Sequence, residues 1–219
     1  MNLYNILVKA GHIVEDYRTI AGTAIGEYEE KKSRFIASVS YAESEEAALR
    51  FLEKVKAENR TARHNVYAYR LQEDNRERYS DDGEPAKTAG LPTLEVIRHS
   101  ELTDIVVVVT RYFGGILLGT GGLVRAYTAA TQDALAKAKI VTVRSLVECD
   151  VTVEYPLFEQ AQRLIQSMET SPVEPVYTDK VCLKWTMPDG TQQLLAQQLR
   201  ELTRGGAEMH CSEPFYAPF

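Results

Sequence analysis

The sequence predicts an α+β protein built as two domains. Strand-like alternation and helix-like periodicity succeed one another along 219 residues. A run of five β-branched residues at 105–109 leads into a glycine loop and then a long amphipathic pattern. Residues 143–219 read in the order βαββαβ, the split-βαβ or ferredoxin-like arrangement.

The elements follow in order. Residues 19–28 mix β-branched and small residues, and residues 34–41 alternate Phe35, Ala37, Val39, Tyr41. These read as two strands joined by the charged turn Glu29-Glu30-Lys31-Lys32. Ser44 is placed to cap a helix with Glu45 and Glu46 in its first turn, and Ala48, Phe51, Leu52 and Val55 keep helical spacing. Val66 and Ala68 alternate with Tyr67 and Tyr69 in another strand, residues 72–83 read as a polar loop turning at Asp82-Gly83, and residues 94–99 read as the end of a helix that Pro92 opens or interrupts. The 105–109 run is a strand buried on both faces. From Leu123 the positions Ala126, Tyr127, Ala130, Ala134 and Leu135 mark a long helix.

In the second half, residues 146–155 read as a strand, and Pro156 suits the first turn of a helix carrying Leu157, Ala161, Leu164 and Ile165. Residues 172–177 and 181–186 are strands around a Thr178-Asp179 turn. After the loop 187–190, Thr191 is expected to cap a helix that Gly205-Gly206 stops, and residues 207–215 form a last strand. The expected boundaries are an extension at 1–17, forming a short accessory helix, a first domain at 18–142 and a second at 143–219.

Bulk composition narrows the function classes. With 44% hydrophobic and 26% charged residues the chain is that of an ordinary globular protein, and a net charge of −6 argues against coating nucleic acid by bulk charge while leaving room for a local basic face. No stretch approaches the roughly 20 apolar residues of a membrane span. The first residues lack the charged start, apolar core and cleavage site of a signal peptide, so a cytoplasmic location is expected. Cys149, Cys182 and Cys211 are odd in number and form no CxxC, which favours buried small hydrophobes over a disulfide framework or a zinc site. No cofactor and no resident metal are expected.

The stretch TRYFGGILLGTGGLVRAY, from Thr110 to Tyr127, sets Gly114, Gly115, Gly119, Gly121 and Gly122 between a buried strand and a helix. A helix N-terminus offers free N–H groups to an anion. The phosphate-loop fingerprint fails, because Thr120-Gly121 follows Gly119 where Lys-Ser/Thr is needed; the dinucleotide fingerprint fails at Val124. Backbone geometry competes with anion binding as the reason for the glycines. Arg111 stands just past the strand. Arg125 is expected in the first helical turn, where a cation opposes the dipole and calls for a carboxylate, phosphate or RNA backbone.

This stretch resembles the signature of the IMPACT family. The likeness extends to Lys32-Ser33-Arg34-Phe35-Ile36-Ala37, to Arg63-His64-Asn65 with Ala68-Tyr69, and to Ser80-Asp81-Asp82-Gly83-Glu84-Pro85 followed by Thr88-Ala89-Gly90. The resemblance, to the bacterial YigZ-like members in particular, implies a first domain of the ribosomal protein S5 domain 2 type and a second domain similar to the last domain of elongation factor G. It implies a link to translation, since eukaryotic relatives regulate translation through a protein partner but carry a different second domain. One departure stands out: Ala86-Lys87 replaces the family's usual Ser-Gly before Thr88.

His64, Asp81, Asp82 and Glu84 invite three readings: turn and helix-cap roles, a salt bridge to Arg111 or Arg125, or metal or acid–base chemistry. Their spacing has neither the H-E-x-x-H nor the EF-hand pattern. Arg60, Arg63, Arg70, Arg76 and Arg78, interleaved with Tyr67, Tyr69 and Tyr79, suit RNA phosphates and stacked bases, as do Lys32 and Arg34; a salt-bridged surface with Glu73, Asp74 and Glu77 is the competing reading. The expectation is a non-enzymatic protein binding RNA, the ribosome or a translation-related protein. A phosphate-binding protein or enzyme built on the glycine loop, and a protein–protein adaptor, are the alternatives.

Overall fold

The structure, a computed structural model, describes residues 16–219 and divides them into two compact units, Tyr17–Val141 and, with Asp16, Thr142–Phe219. It is α+β, with antiparallel sheets. Residues 1–15 of the expected accessory helix lie outside the described residues; Tyr17 belongs to a strand.

In the first unit, β1 (Tyr17–Ala21) is separated from β2 (Thr23–Glu30) by Gly22, whose φ of +76° ends the strand. The sequence reads 19–28 as one strand, and this glycine is what divides it. β2 pairs with β3 (Ser33–Tyr41) through a two-residue turn, Lys31-Lys32, shorter than the expected four. Both lysines have positive φ, 47° and 65°, the type I′ geometry whose twist matches the flanking strands. Helix α1 (Glu45–Glu58) begins as expected, the Ser44 side chain accepting from the Ala47 N–H at 3.2 Å. β4 (His64–Arg70) follows, and then β5 (Glu77–Ser80) within the stretch read as loop. Four polar or half-exposed residues carry no apolar alternation, so this edge strand leaves no trace in the pattern. Helix α2 (Gly90–His99) has Pro92 in its first turn, β6 (Ile105–Tyr112) is buried along nearly its whole length, and α3 (Gly119–Lys137) starts one turn before the expected Leu123.

The five strands run in the order β2–β3–β6–β4–β5. The register sets Phe35, Arg111 and His64 side by side, as it does Ala37, Val109 and Val66. That face packs on α2 and α3; Val106, Val108 and Tyr69 on the other face pack on Leu52 and Val55 of α1. The first unit is therefore a sheet covered by helices on both sides, which explains the unbroken apolar run of β6.

The strand β7 (Lys139–Val153), which lies in the second unit from Thr142 onwards, is much longer than expected. A 3₁₀ turn at Tyr155–Leu157 leads into α4 (Phe158–Gln166), then β8 (Glu174–Tyr177), β9 (Val181–Pro188) and α5 (Gln192–Leu202). Thr191 does not cap α5: its hydroxyl donates to the Pro188 carbonyl at 2.6 Å. The expected last strand is two, β10 (Met209–Cys211) and β11 (Phe215–Pro218), both paired with β7. Pro214 lies between them and has no N–H for a ladder. The strands order as β10–β7–β9–β8, and Val147, Val151, Leu183 and Trp185 pack against Ile165, Leu195 and Leu199 of the two helices.

Candidate functional site

The sheet end where β3 begins, β4 begins and β6 finishes gathers most of the residues singled out by sequence. Arg111 points inward. Its Nη1 donates to Glu84 Oε1 at 2.6 Å, and the Tyr127 hydroxyl of α3 donates to the same oxygen at 2.8 Å. The side chains of Arg111 and Glu84 are 8% and 4% exposed. The guanidinium carbon lies 5.5 Å from the Phe35 ring centroid and 5.6 Å from that of Phe113, an arrangement in which the ring faces attract the cation. Arg111 Nε is buried with no protein acceptor. Burial first, then the Glu84 carboxylate, holds the Tyr127 phenol well above its usual range. Of the three readings left open for Glu84, the structure builds the buried ion pair.

The neighbouring acids serve the backbone. Asp81 accepts from the N–H groups of Lys87 at 2.8 Å, Ala89 at 3.0 Å and Gly90 at 2.8 Å, so it caps α2, which starts at Gly90. Asp82 Oδ2 accepts from the Asn65 N–H at 2.6 Å. His64 Nδ1 donates to the Asp82 carbonyl at 2.8 Å, since a carbonyl only accepts. Lys87, where the resemblance leads one to expect glycine, takes a φ of +63°. Among the described residues no group of three or more His, Cys, Asp or Glu is placed to hold a metal ion.

The glycine loop has a split character. Gly114 is the contact glycine: a Cβ there would stand 2.1 Å from the Lys32 carbonyl carbon, so the β2–β3 turn seats directly on it. The Gly114 N–H also donates to Ser33 Oγ at 3.1 Å. Gly115 and Gly119 take positive φ, Gly122 lies against Leu118, and Gly121 opens to solvent. Ile116 and Leu117 between them and Phe113 just before them are exposed, Leu117 by 83%. No side chain caps α3 at Leu118. Arg125 falls in the second turn, not the first; it is exposed, and its Nη1 reaches back to 3.8 Å from where a Cβ on Gly121 would be.

Exposed cations lie on the segments that reach this sheet end. Lys31 and Lys32 form the turn seated on Gly114, and Arg60 and Arg63 lie in the connection between α1 and β4, just after Asn59, which accepts from the Tyr112 hydroxyl at 2.9 Å, and just before His64, the register partner of Arg111. Lys31, Lys32, Arg60, Arg63 and Arg125 are exposed and form no ion pair among the described residues. The rest of the arginine–tyrosine stretch is engaged elsewhere: Arg70 with Glu77 at 3.3 Å, Arg76 and Arg78 with Glu45 at 2.9 and 3.2 Å, and Arg34 with Glu27 at 2.8 Å. A hydrogen bond from Tyr69 and these two arginines hold Glu45 below the usual carboxylate range. The sequence analysis does not single out Lys31, Phe113, Ile116 and Leu117; the doubled lysine and the apolar residues beside and between the glycines are the available signals.

The comparisons with known proteins bear on this arrangement. The Impact N-terminal domain family matches residues 31–135, which include the turn, the acidic loop, the glycine loop and most of α3. The chain is 31% identical over 205 residues to the IMPACT family member YvyE of Bacillus subtilis, covering 93% of this chain and 94% of that one. This chain belongs to the IMPACT family. The family member YigZ of Escherichia coli is 35% identical over 182 residues, 82% of this chain and 89% of its own. Protein IMPACT of Xenopus laevis matches only 63 residues, at 44% identity, over 27% of this chain and 20% of its own. A solved structure described as the crystal structure of a hypothetical protein is 33% identical, with a TM-score of 0.60 over 92% of this chain and 99% of that one. No helix among the described residues is long and apolar enough to cross a membrane.

Proposed function

We propose that this IMPACT family member binds RNA, free or within the ribosome, through the sheet end that carries the glycine loop, and acts without catalysis in the cytoplasm. The observation that carries this reading is that Lys31, Lys32, Arg60, Arg63 and Arg125, exposed and without an ion pair among the described residues, belong to the segments at the sheet end that also carries exposed Phe113, Ile116 and Leu117 and the uncapped N-terminus of α3. Cations meet phosphates, the free N–H groups add a donor set for one phosphate oxygen, and the exposed aromatic ring offers a stacking face for an unpaired base. Burial of Arg111 against Glu84 gives it a supporting role: it fixes the base of the loop. The strand order β10–β7–β9–β8 of the second unit, which is the ferredoxin-like order, and the ribosomal protein S5 domain 2 type that the family resemblance implies for the first unit support a place in translation.

Fluorescence anisotropy with a labelled single-stranded RNA of mixed sequence tests this. Binding that weakens steeply with salt, and that is lost on replacing Lys31, Lys32, Arg60 and Arg63 by glutamate, is expected. Binding of equal strength by that variant refutes the proposed face.

A further inference from the structure

The register of β10 against β7 sets two cysteines directly opposite each other. The pairs are Met209 with Val151, His210 with Asp150, and Cys211 with Cys149. The Ser212 N–H donates to the Glu148 carbonyl at 2.8 Å, which makes the next pair along, 212 with 148, a hydrogen-bonded site. Antiparallel pairs alternate, so Cys211 and Cys149 occupy a non-hydrogen-bonded site, where Cα atoms stand about 4.5 Å apart and side chains approach most closely. Disulfides span Cα separations of about 4.4–6.8 Å. Opposed residues point to the same face, here the one packed on α4 and α5, where Cys149 lies among Val147, Val151 and Trp185. Cys182 pairs with Thr152 and so points to the other face.

The geometry points to a reversible modification site: Cys149 and Cys211 form a cross-strand disulfide by exchange with a low-molecular-weight disulfide such as glutathione disulfide. The two thiols differ in the way the reaction needs. Cys211 is exposed and Cys149 is 3% exposed. Burial, and Cys211 beside it, push the Cys149 thiol up, so it is not the first to react. The Cys211 thiolate attacks one sulfur of the small disulfide, a bond forms between Cys211 Sγ and that sulfur, and the other half leaves as a thiolate that takes a proton. Cys149 then loses its proton and attacks Cys211 Sγ, releasing the second small thiol. The two protein thiols supply two electrons, and one disulfide becomes two thiols. The product ties the short strand β10 covalently to the centre of the sheet.

The full chain, reduced and then equilibrated with glutathione disulfide, is digested without reductant and mapped by mass spectrometry. The expected result is a linked pair of peptides carrying Cys149 and Cys211, a fall from three titratable thiols to one, Cys182 remaining free, and full reversal by dithiothreitol. A transient Cys211–glutathione adduct that resolves faster as pH rises is expected on the way. Replacing Cys182 by serine leaves the link intact, and Cys149→Ala stops the reaction at the adduct. An adduct on Cys211 that never resolves in the unmodified chain, or a link that recruits Cys182 or a second copy of the chain, overturns the inference.

Discussion

Removing the Arg111 guanidinium gives a sharp test of how the loop is held. Arg111→Met keeps the aliphatic stem and deletes the charge, leaving the Glu84 carboxylate, 4% exposed, with the Tyr127 hydroxyl as its partner among the described residues. Breaking one side of a buried ion pair costs about 3–5 kcal/mol, because the surviving charge is uncompensated. Loss of the Phe35 and Phe113 ring contacts adds about 1 kcal/mol. Against a total of about 5–15 kcal/mol for a natural domain, that is about a quarter of the stability or more. The double variant Arg111→Met with Glu84→Leu removes both charges and is expected to recover most of the loss. Hydrogen exchange of the β6 amides reads the opening free energy of the first unit by itself. A cost below about 1 kcal/mol for Arg111→Met, or a double variant whose cost is the sum of the two singles, refutes the view that this pair is a mutually compensated buried unit.

Other expectations follow from the same geometry. Tyr127 is fully buried and its phenol titrates higher in the folded chain than in the unfolded one, so its contribution is complete below a pH of about 10 and falls as pH rises beyond that. Tyr127→Phe should flatten the alkaline loss of stability by up to about 1.4 kcal/mol per pH unit, and an unchanged slope in urea melts at pH 9–11 counts against this. Gly114→Ala forces the β2–β3 turn off its seat, costing about 2 kcal/mol and weakening RNA binding; a variant equal to the parent in both assays means that the turn is not seated there. Lys87→Gly removes a left-handed cost of about 1–2 kcal/mol but frees the unfolded chain by about 0.4–1 kcal/mol, so a net gain of about 0.5 kcal/mol is expected, and a clear loss of stability refutes it. If all five unpaired cations contact single-stranded RNA phosphates, log K against log salt should slope by about −3.5, and a slope near zero excludes them.

The strands that sequence reveals are those whose burial is written in their side chains. β6 is legible because both of its faces meet helices, and α3 because its alanines repeat along one face. β5 is not, since an edge strand of Glu77, Arg78, Tyr79 and Ser80 satisfies its side chains by ion pairs on the surface. The acidic loop shows the same limit at the level of roles. Asp81, Asp82 and Glu84 are adjacent in sequence and alike in charge, yet one caps a helix, one holds a strand amide and one neutralises a buried arginine. Those roles depend on which of three directions the chain takes through Asp82 and Gly83, both at positive φ, and a residue pattern carries no such angles. The Cys149–Cys211 register was out of reach for a related reason, as it depends on where a three-residue strand lands after most of the second unit has been threaded.

The Lys31-Lys32 turn has a further consequence. Type I′ turns favour Asn-Gly, and lysine at both central positions holds two side chains in a conformation that L-residues occupy at a cost. Replacing the pair by Asn-Gly relieves that strain and deletes two of the exposed charges. Thermal stability and RNA affinity should therefore move in opposite directions in one variant, the signature of a segment where selection has traded robustness for use.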